Sequence, residues 1–168
     1  MVNMSDVLYR IIDANFNRCR EALRVMEEYC RFGLNHPQLA GQAKQYRHRL
    51  CETLSRLDRL KLLCSRDVGG DVGRAMKVDG QLRRRSLEDC FTAAAKRASE
   101  ALRALAESTQ AIDPHIAAVM EQLRFEVYAL EQQTVLTAST AAKWAPVRLY
   151  VLINAAPDIP DTSVLDLA

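Results

Sequence analysis

Residues 17–28 read NRCREALRVMEE, and residues 96–107 read KRASEALRALAE. Aligned without a gap, they share Arg18/Arg97, Glu21/Glu100, Ala22/Ala101, Leu23/Leu102, Arg24/Arg103 and Glu28/Glu107. Common helix bias explains the alanines and leucines, but it explains the matched arginines and glutamates less well. Each copy lies on the first helix of a helix pair. In the second helices, Tyr46, Arg47 and Leu50 align loosely with Leu123, Arg124 and Val127. The repeat therefore predicts an all-α fold: a four-helix bundle made of two pseudo-repeated helical hairpins.

Apolar periodicity places the four helices. Leu8, Ile12, Phe16, Cys19, Leu23, Met26 and Cys30 recur at spacings of three and four, one helix face from about Ser5 to Phe32. Gly33 is positioned to end it, and Asn35 with Pro37 to cap and restart the chain. The second helix carries Tyr46, Leu50, Leu54 and Leu57 and ends near Cys64. The third opens at Ser86, with Asp89 three residues on, close to a capping box, and runs to about Ser108. The fourth opens at Asp113-Pro114. Residues 1–136 form the bundle. Residues 137–146 read as a linker. Residues 147–168, opening with the β-prone run from Val147 to Ile153, read as a strand and coil that begin a second domain.

Composition narrows the class. The net charge is +2 from 23 basic and 21 acidic side chains, which argues against a nucleic-acid binder. No apolar run is long enough to cross a bilayer. The opening MVNMSDVLYR lacks the pattern of a secretory signal. The five cysteines are scattered without a CxxC, so neither a disulfide framework nor a thiolate zinc site is expected. A cytoplasmic, reducing location is the simple expectation.

At about 100° per residue, Glu21, Arg24 and Glu28 share a flank, while Arg18 falls nearer the apolar side, between Val25 and Tyr29. Arg97 falls among Ala94, Ala101 and Ala104. An arginine at such a boundary needs a partner. For the glutamates, an intrahelical ladder is the favoured reading. For the arginines, the ladder and a grip on phosphate stand level.

The hairpins are joined by a connection that begins SRDVGGDVGR at Ser65 and is long for a bundle. Its glycines let backbone N–H groups approach an anion. Asp67 and Asp71 are suited to holding Mg²⁺ through one or two carboxylates. No GxxxxGK[ST] and no GxGxxG occurs. A plain flexible linker remains the competing reading.

Three segments resemble one family: Arg10–Phe32, Ser65–Gly73 and the run RFEVYALE at Arg124–Glu131. Together they look like the helical domain fused to the N-terminus of thiamine-phosphate synthase in some bacteria. The resemblance covers about residues 8–132, and the run from Arg148 to Ile153 resembles the first barrel strand of that synthase. It implies a hydroxymethylpyrimidine-phosphate kinase unrelated to the ribokinase-like type, using ATP and Mg²⁺ to make the pyrimidine diphosphate. It also implies a synthase domain downstream in cis, and it leaves homodimerisation open.

On that reading Arg18, Arg24, Arg97 and Arg103 bind phosphates, and Gly70 contributes to the phosphate loop. Arg66 neutralises charge on the transferred group. Asp67 or Asp71 holds Mg²⁺ or orients the acceptor phosphate. Asn15 and Asn17 read the aminopyrimidine edge. A polar pocket is then expected where both repeats and the Ser65–Arg74 loop converge. The alternative is a non-catalytic helical module that dimerises or regulates the synthase, with its exposed arginines held only in ion pairs.

Overall fold

The computed structural model describes residues 4–76, 79–80, 83–145 and 147. Among the described residues, five α-helices follow one another: α1 (Met4–Glu28), α2 (Pro37–Leu54), α3 (Arg59–Cys64), α4 (Leu87–Thr109) and α5 (Pro114–Trp144). No strand occurs among the described residues. One compact unit comprises Met1–Leu136 and a second Thr137–Ala168.

Local chemistry sets the helix ends. α1 does not stop at Glu28; it widens into one π-helical segment, Tyr29–Gly33. Leu34 N–H closes that segment on the Tyr29 carbonyl at 3.0 Å. The cap of α2 is His36, not Asn35: its Nδ1 accepts from Leu39 N–H at 3.4 Å, with Pro37 as the first helical residue. Asn35 instead makes the reversal, at φ 50°. The expected second helix is broken in two because Asp58 caps a new start, accepting from Leu60 and Lys61 N–H. Ser86 accepts from Asp89 N–H at 3.1 Å, and Asp89 accepts from Arg85 N–H, nearly the reciprocal box expected. Residues 137–144, expected as a linker, are the last turns of α5. The expected strand from Arg148 to Ile153 lies outside the described residues.

The core is built on α1 against α4. The two run antiparallel: Tyr29 stacks on Phe91 at 4.8 Å between ring centroids, Glu21 meets Arg97 at 3.3 Å, and Cys19 Sγ lies 3.8 Å from the Ala98 carbonyl. Ala22 faces the same interface as Ala94, Ala98 and Ala101, all buried, and such small side chains let the axes approach. Leu50 and Leu54 of α2 and Met120, Leu123, Val127 and Leu130 of α5 complete the core.

Cys19 and Ala98 hold the same place in the two repeats and touch each other. A pseudo-two-fold axis therefore passes between them. Arg49 of α2 and Glu126 of α5 are equivalent too, and they are ion-paired. Elsewhere the halves differ. Glu27 of α1 is buried and accepts two hydrogen bonds from Arg47, at 3.1 and 2.9 Å, whereas its counterpart is Ala106. Arg124 turns instead to Glu121 and to the Tyr128 hydroxyl. Those two bonds hold the Arg124 guanidinium protonated well above its ordinary range.

Candidate functional site: a glycine-bearing loop folded onto the first helix

α1 presents a polar stripe at helical spacing: Arg10, Asp13, Asn17, Glu21, Arg24 and Glu28. The segment after α3 folds back onto its first half. Arg66 grips Asp13 with two parallel bonds, Nε to Oδ2 at 2.7 Å and Nη2 to Oδ1 at 2.8 Å. Asp13 is 8% exposed, and the Asn17 amide donates to its carbonyl at 2.9 Å and to Oδ1 at 3.3 Å. The pair raises the pKa of Arg66 above its ordinary value, chiefly through the hydrogen bonds it donates to Asp13, so Arg66 stays a cation. Arg10 Nη2 donates to the Asp67 carbonyl at 3.0 Å, and its Nη1 lies 3.6 Å from Asp67 Oδ2.

Two side-chain turns shape the loop. Asp67 Oδ1 accepts from Gly70 N–H at 2.8 Å, and Asp71 Oδ1 accepts from Gly73 N–H at 2.9 Å. A Cβ at Gly70 would collide with the Asp67 carboxylate. The result is an open cavity of about 320 Å³ bounded by Arg10, Asp13, Ala14, Arg66, Asp67, Val68, Asp71 and Arg74. Three arginines and two exposed carboxylates line it, beside Asp13 in its pair with Arg66.

A second, more open hollow lies on the same helix, lined by Asn17, Arg20, Glu21, Arg24 and Arg47. Asn17 links it to the loop cavity, because its amide also accepts from Arg20 at 3.1 Å. Arg24 is held by Glu28 at 2.8 Å, and that hydrogen bond raises the pKa of its guanidinium.

The structure thus gathers Arg66, Asp67 and Asp71 around one cavity, with Asn17 and Arg24 in the hollow beside it; Gly70 does not line the cavity and instead donates its N–H to the Asp67 carboxylate. The other expected residues lie elsewhere. Arg97 reaches across from α4 to Glu21. Arg18 is exposed, not at the apolar boundary, and has no ion pair among the described residues. The Asn15 amide donates to the Ile11 carbonyl of its own helix at 2.9 Å. Arg103 pairs with Glu107 at 2.7 Å and faces Glu121 at 3.7 Å. Arg24 lies five residues beyond Cys19, and Arg103 five beyond Ala98 on the antiparallel helix. They are therefore about 15 Å apart along the bundle. Among the described residues, the cavity's lining comes from the first repeat's helix and the loop, and none of it from the second repeat.

Arg10, Asp13 and Arg74 were not among the residues picked out by sequence. Arg10 and Asp13 continue the Asn17 stripe backwards at steps of four and three, and that signal was available. Arg74 carried none beyond its place in the loop.

Among the described residues, no three or more His, Cys, Asp or Glu side chains cluster tightly enough to hold a metal by themselves. Asp67 and Asp71 line one cavity, each with one oxygen on a glycine N–H. Two carboxylates in one cavity would meet the need of a Mg²⁺ ion for one or two protein carboxylates. Among the described residues, no helix is long and apolar enough to cross a membrane.

An all-helical bundle with a polar loop cavity defines the class. The ThiD2 family profile matches residues 10–133. The chain belongs to the ThiD2 family, a thiamine-biosynthesis family. It is 37% identical over 151 residues to a protein of Nostoc punctiforme named thiamine-phosphate synthase, across 90% of this chain and 42% of that protein. A protein of the same name from Rhodopirellula baltica is 37% identical over 158 residues, across 92% and 42%. One from Synechocystis is 40% identical over 122 residues, across 73% and 34%. The chain thus spans less than half the length of these relatives. No solved structure matches it.

Proposed function

We propose that this chain transfers the γ-phosphoryl group of ATP to hydroxymethylpyrimidine phosphate, giving the diphosphate, as the kinase part of a fusion with thiamine-phosphate synthase. The observation that carries this reading is the Arg66–Asp13 fork. It holds a guanidinium in the lining of a cavity that also contains Arg10, Arg74 and two carboxylates. Phosphoryl transfer needs positioning and charge stabilisation more than covalent help from the protein.

An oxygen of the acceptor phosphate bonds to the γ-phosphorus, and the bond from that phosphorus to the bridging oxygen of ADP breaks, its electron pair leaving with ADP. The acceptor phosphate is ionised at neutral pH, so no strong base is required. Nε and Nη2 of Arg66 are engaged by Asp13, and Nη1 remains to meet an equatorial phosphoryl oxygen as charge shifts. Arg10 and Arg74 screen the approach of two anions. Asp67 and Asp71 would hold Mg²⁺, which supplies charge neutralisation between the phosphates when bound. Arg20 and Arg24 extend the positive surface along α1.

The non-catalytic alternative has one observation in its favour: Arg24, Arg97 and Arg103 are all held in ion pairs. A coupled assay separates the two readings. Protein, Mg-ATP and hydroxymethylpyrimidine phosphate are mixed, and ADP and the pyrimidine diphosphate are followed together. Equal formation of both, lost without Mg²⁺, supports the kinase. A folded protein that forms neither, alone or within a fusion to the synthase, sinks it.

A further inference from the structure

A largely apolar hollow among the described residues lies far from the loop. It is a cavity of about 260 Å³ between the end of α1 and the start of α4, lined by Val25, Glu28, Tyr29, Phe32, Gly33, Leu87 and Cys90. Its walls are unusual for a soluble surface. Phe32 and Leu87 are each 69% exposed, though large and apolar. The Tyr29 ring forms one face, backed by buried Phe91. The π-helical segment Tyr29–Gly33 adds a residue to the turn, and such segments recur at binding sites. Gly33 lets the chain pass close to the Tyr29 ring, since a Cβ there would lie 3.2 Å from it. Glu28 supplies the rim with a carboxylate.

The repeat provides an internal comparison. The positions equivalent to Tyr29 and Phe32 are Ser108 and Ala111, whereas Glu28 and Arg24 are matched by Glu107 and Arg103. The second half thus forms the corresponding helix end without aromatic side chains. Helix packing alone does not call for both rings in the first half.

We infer that this cavity is a subsite for an amino-substituted, nitrogen-containing aromatic ring. Tyr29 and Phe32 offer faces for stacking, and the Glu28 carboxylate accepts from an exocyclic amino group. Two sources share that chemistry: the aminopyrimidine of the acceptor and the adenine of the nucleotide. Fifteen residues separate Asp13 from Glu28, about 22 Å along α1. A ring here and a phosphoryl group at Arg66 therefore sit at opposite ends of one extended molecule, which suits the nucleotide and not the acceptor, whose ring and phosphate are a single carbon apart. The inference rests on the proposed phosphotransfer for the source of the ring; binding of the ring does not require turnover.

The test uses phosphate-free probes on the full chain. Adenosine and hydroxymethylpyrimidine are titrated separately by calorimetry, and alkylation of the half-buried Cys90 by iodoacetamide is timed with and without each. The expected result is that adenosine binds and slows Cys90 alkylation. Phe32→Ala and Tyr29→Leu should each weaken that binding about tenfold or more, with circular dichroism unchanged. Arg66→Ala should leave it intact. Hydroxymethylpyrimidine doing this in place of adenosine would seat the acceptor far from Arg66 and overturn the nucleotide subsite. If neither protects Cys90, or if the bound probe is indifferent to both aromatic substitutions, the subsite is refuted even where the kinase assay succeeds. A failed kinase assay with intact ring binding refutes only the phosphotransfer.

Discussion

Arg49 of α2 and Glu126 of α5 stand at equivalent positions of the two repeats and form an ion pair with each other across the pseudo-two-fold axis. In two identical hairpins that position would face its own copy, and like charges would repel. An attractive pair there requires the halves to differ, so this contact depends on the two hairpins being joined in one chain.

The pair is a stability prediction. Both side chains are largely withdrawn from solvent, at 33% and 25% exposure, and Arg49 Nε is buried without a hydrogen-bond partner. Glu126→Leu should therefore cost about 1–3 kcal/mol, because it leaves a half-buried guanidinium without its carboxylate. The double exchange Arg49→Glu with Glu126→Arg should recover most of that loss. Urea unfolding of the three variants checks both statements.

Arg66→Ala should lower kcat/KM for the proposed phosphotransfer about a hundredfold or more while helical content stays the same. Arg66→Lys should rescue little, because a single ammonium cannot form the fork with Asp13. Asp13→Asn should act through Arg66: it removes the opposing charge and one of the two acceptor oxygens, and so releases the guanidinium from its position. Steady-state kinetics with matched circular dichroism would show this. Full turnover in Arg66→Ala would remove the loop cavity from the mechanism.

Gly70→Ala should damage the loop selectively. The added methyl displaces the Asp67 carboxylate, which is tied to Gly70 N–H and faces Arg10. The loop is exposed, so the melting temperature should move little while turnover falls. A large loss of stability with turnover preserved would contradict the role given to this turn.

Alkaline stability has a named source. Burial, the largest cause in each case, pushes the thiols of Cys19 and Cys30 above the ordinary value of 9.0. The unfolded chain loses these protons first as pH rises. The contribution is therefore whole below pH 9 and lost as pH climbs beyond it. Cys19→Ala should be less stable than the parent at neutral pH but show a shallower decline above pH 9. Unfolding curves on either side of that value would reveal equal slopes if the assignment is wrong.

Much of the bundle was legible because helical periodicity and a repeat are local patterns. Leu23 and Leu102 match in sequence and are both fully buried. Ser86 and Asp113 announced helix starts that the structure contains. The break between α2 and α3 was missed because Leu57 extends the apolar rhythm past it, while Asp58, a capping residue, lies on a polar position where it raises no alarm. Arg18 was misplaced for a different reason. Helical angles rank residues around one axis, but α4 decides where the apolar boundary falls. The site was half legible: composition marked the loop, yet its docking on Asp13 joins residues 53 apart, a relation no spacing rule encodes.

The antiparallel pair of α1 and α4 has a consequence for the integrity of the chain. Each hairpin lends its first helix to a shared centre, so the halves are held by buried contact as well as by the connection between them. Trypsin has an exposed target at Arg83–Arg85, beyond the cavity-forming stretch that ends at Arg74. A cut there would leave loop and first hairpin covalently whole and the second hairpin clasped against them. The nicked protein should migrate as one particle in native gels and as two fragments only after denaturation.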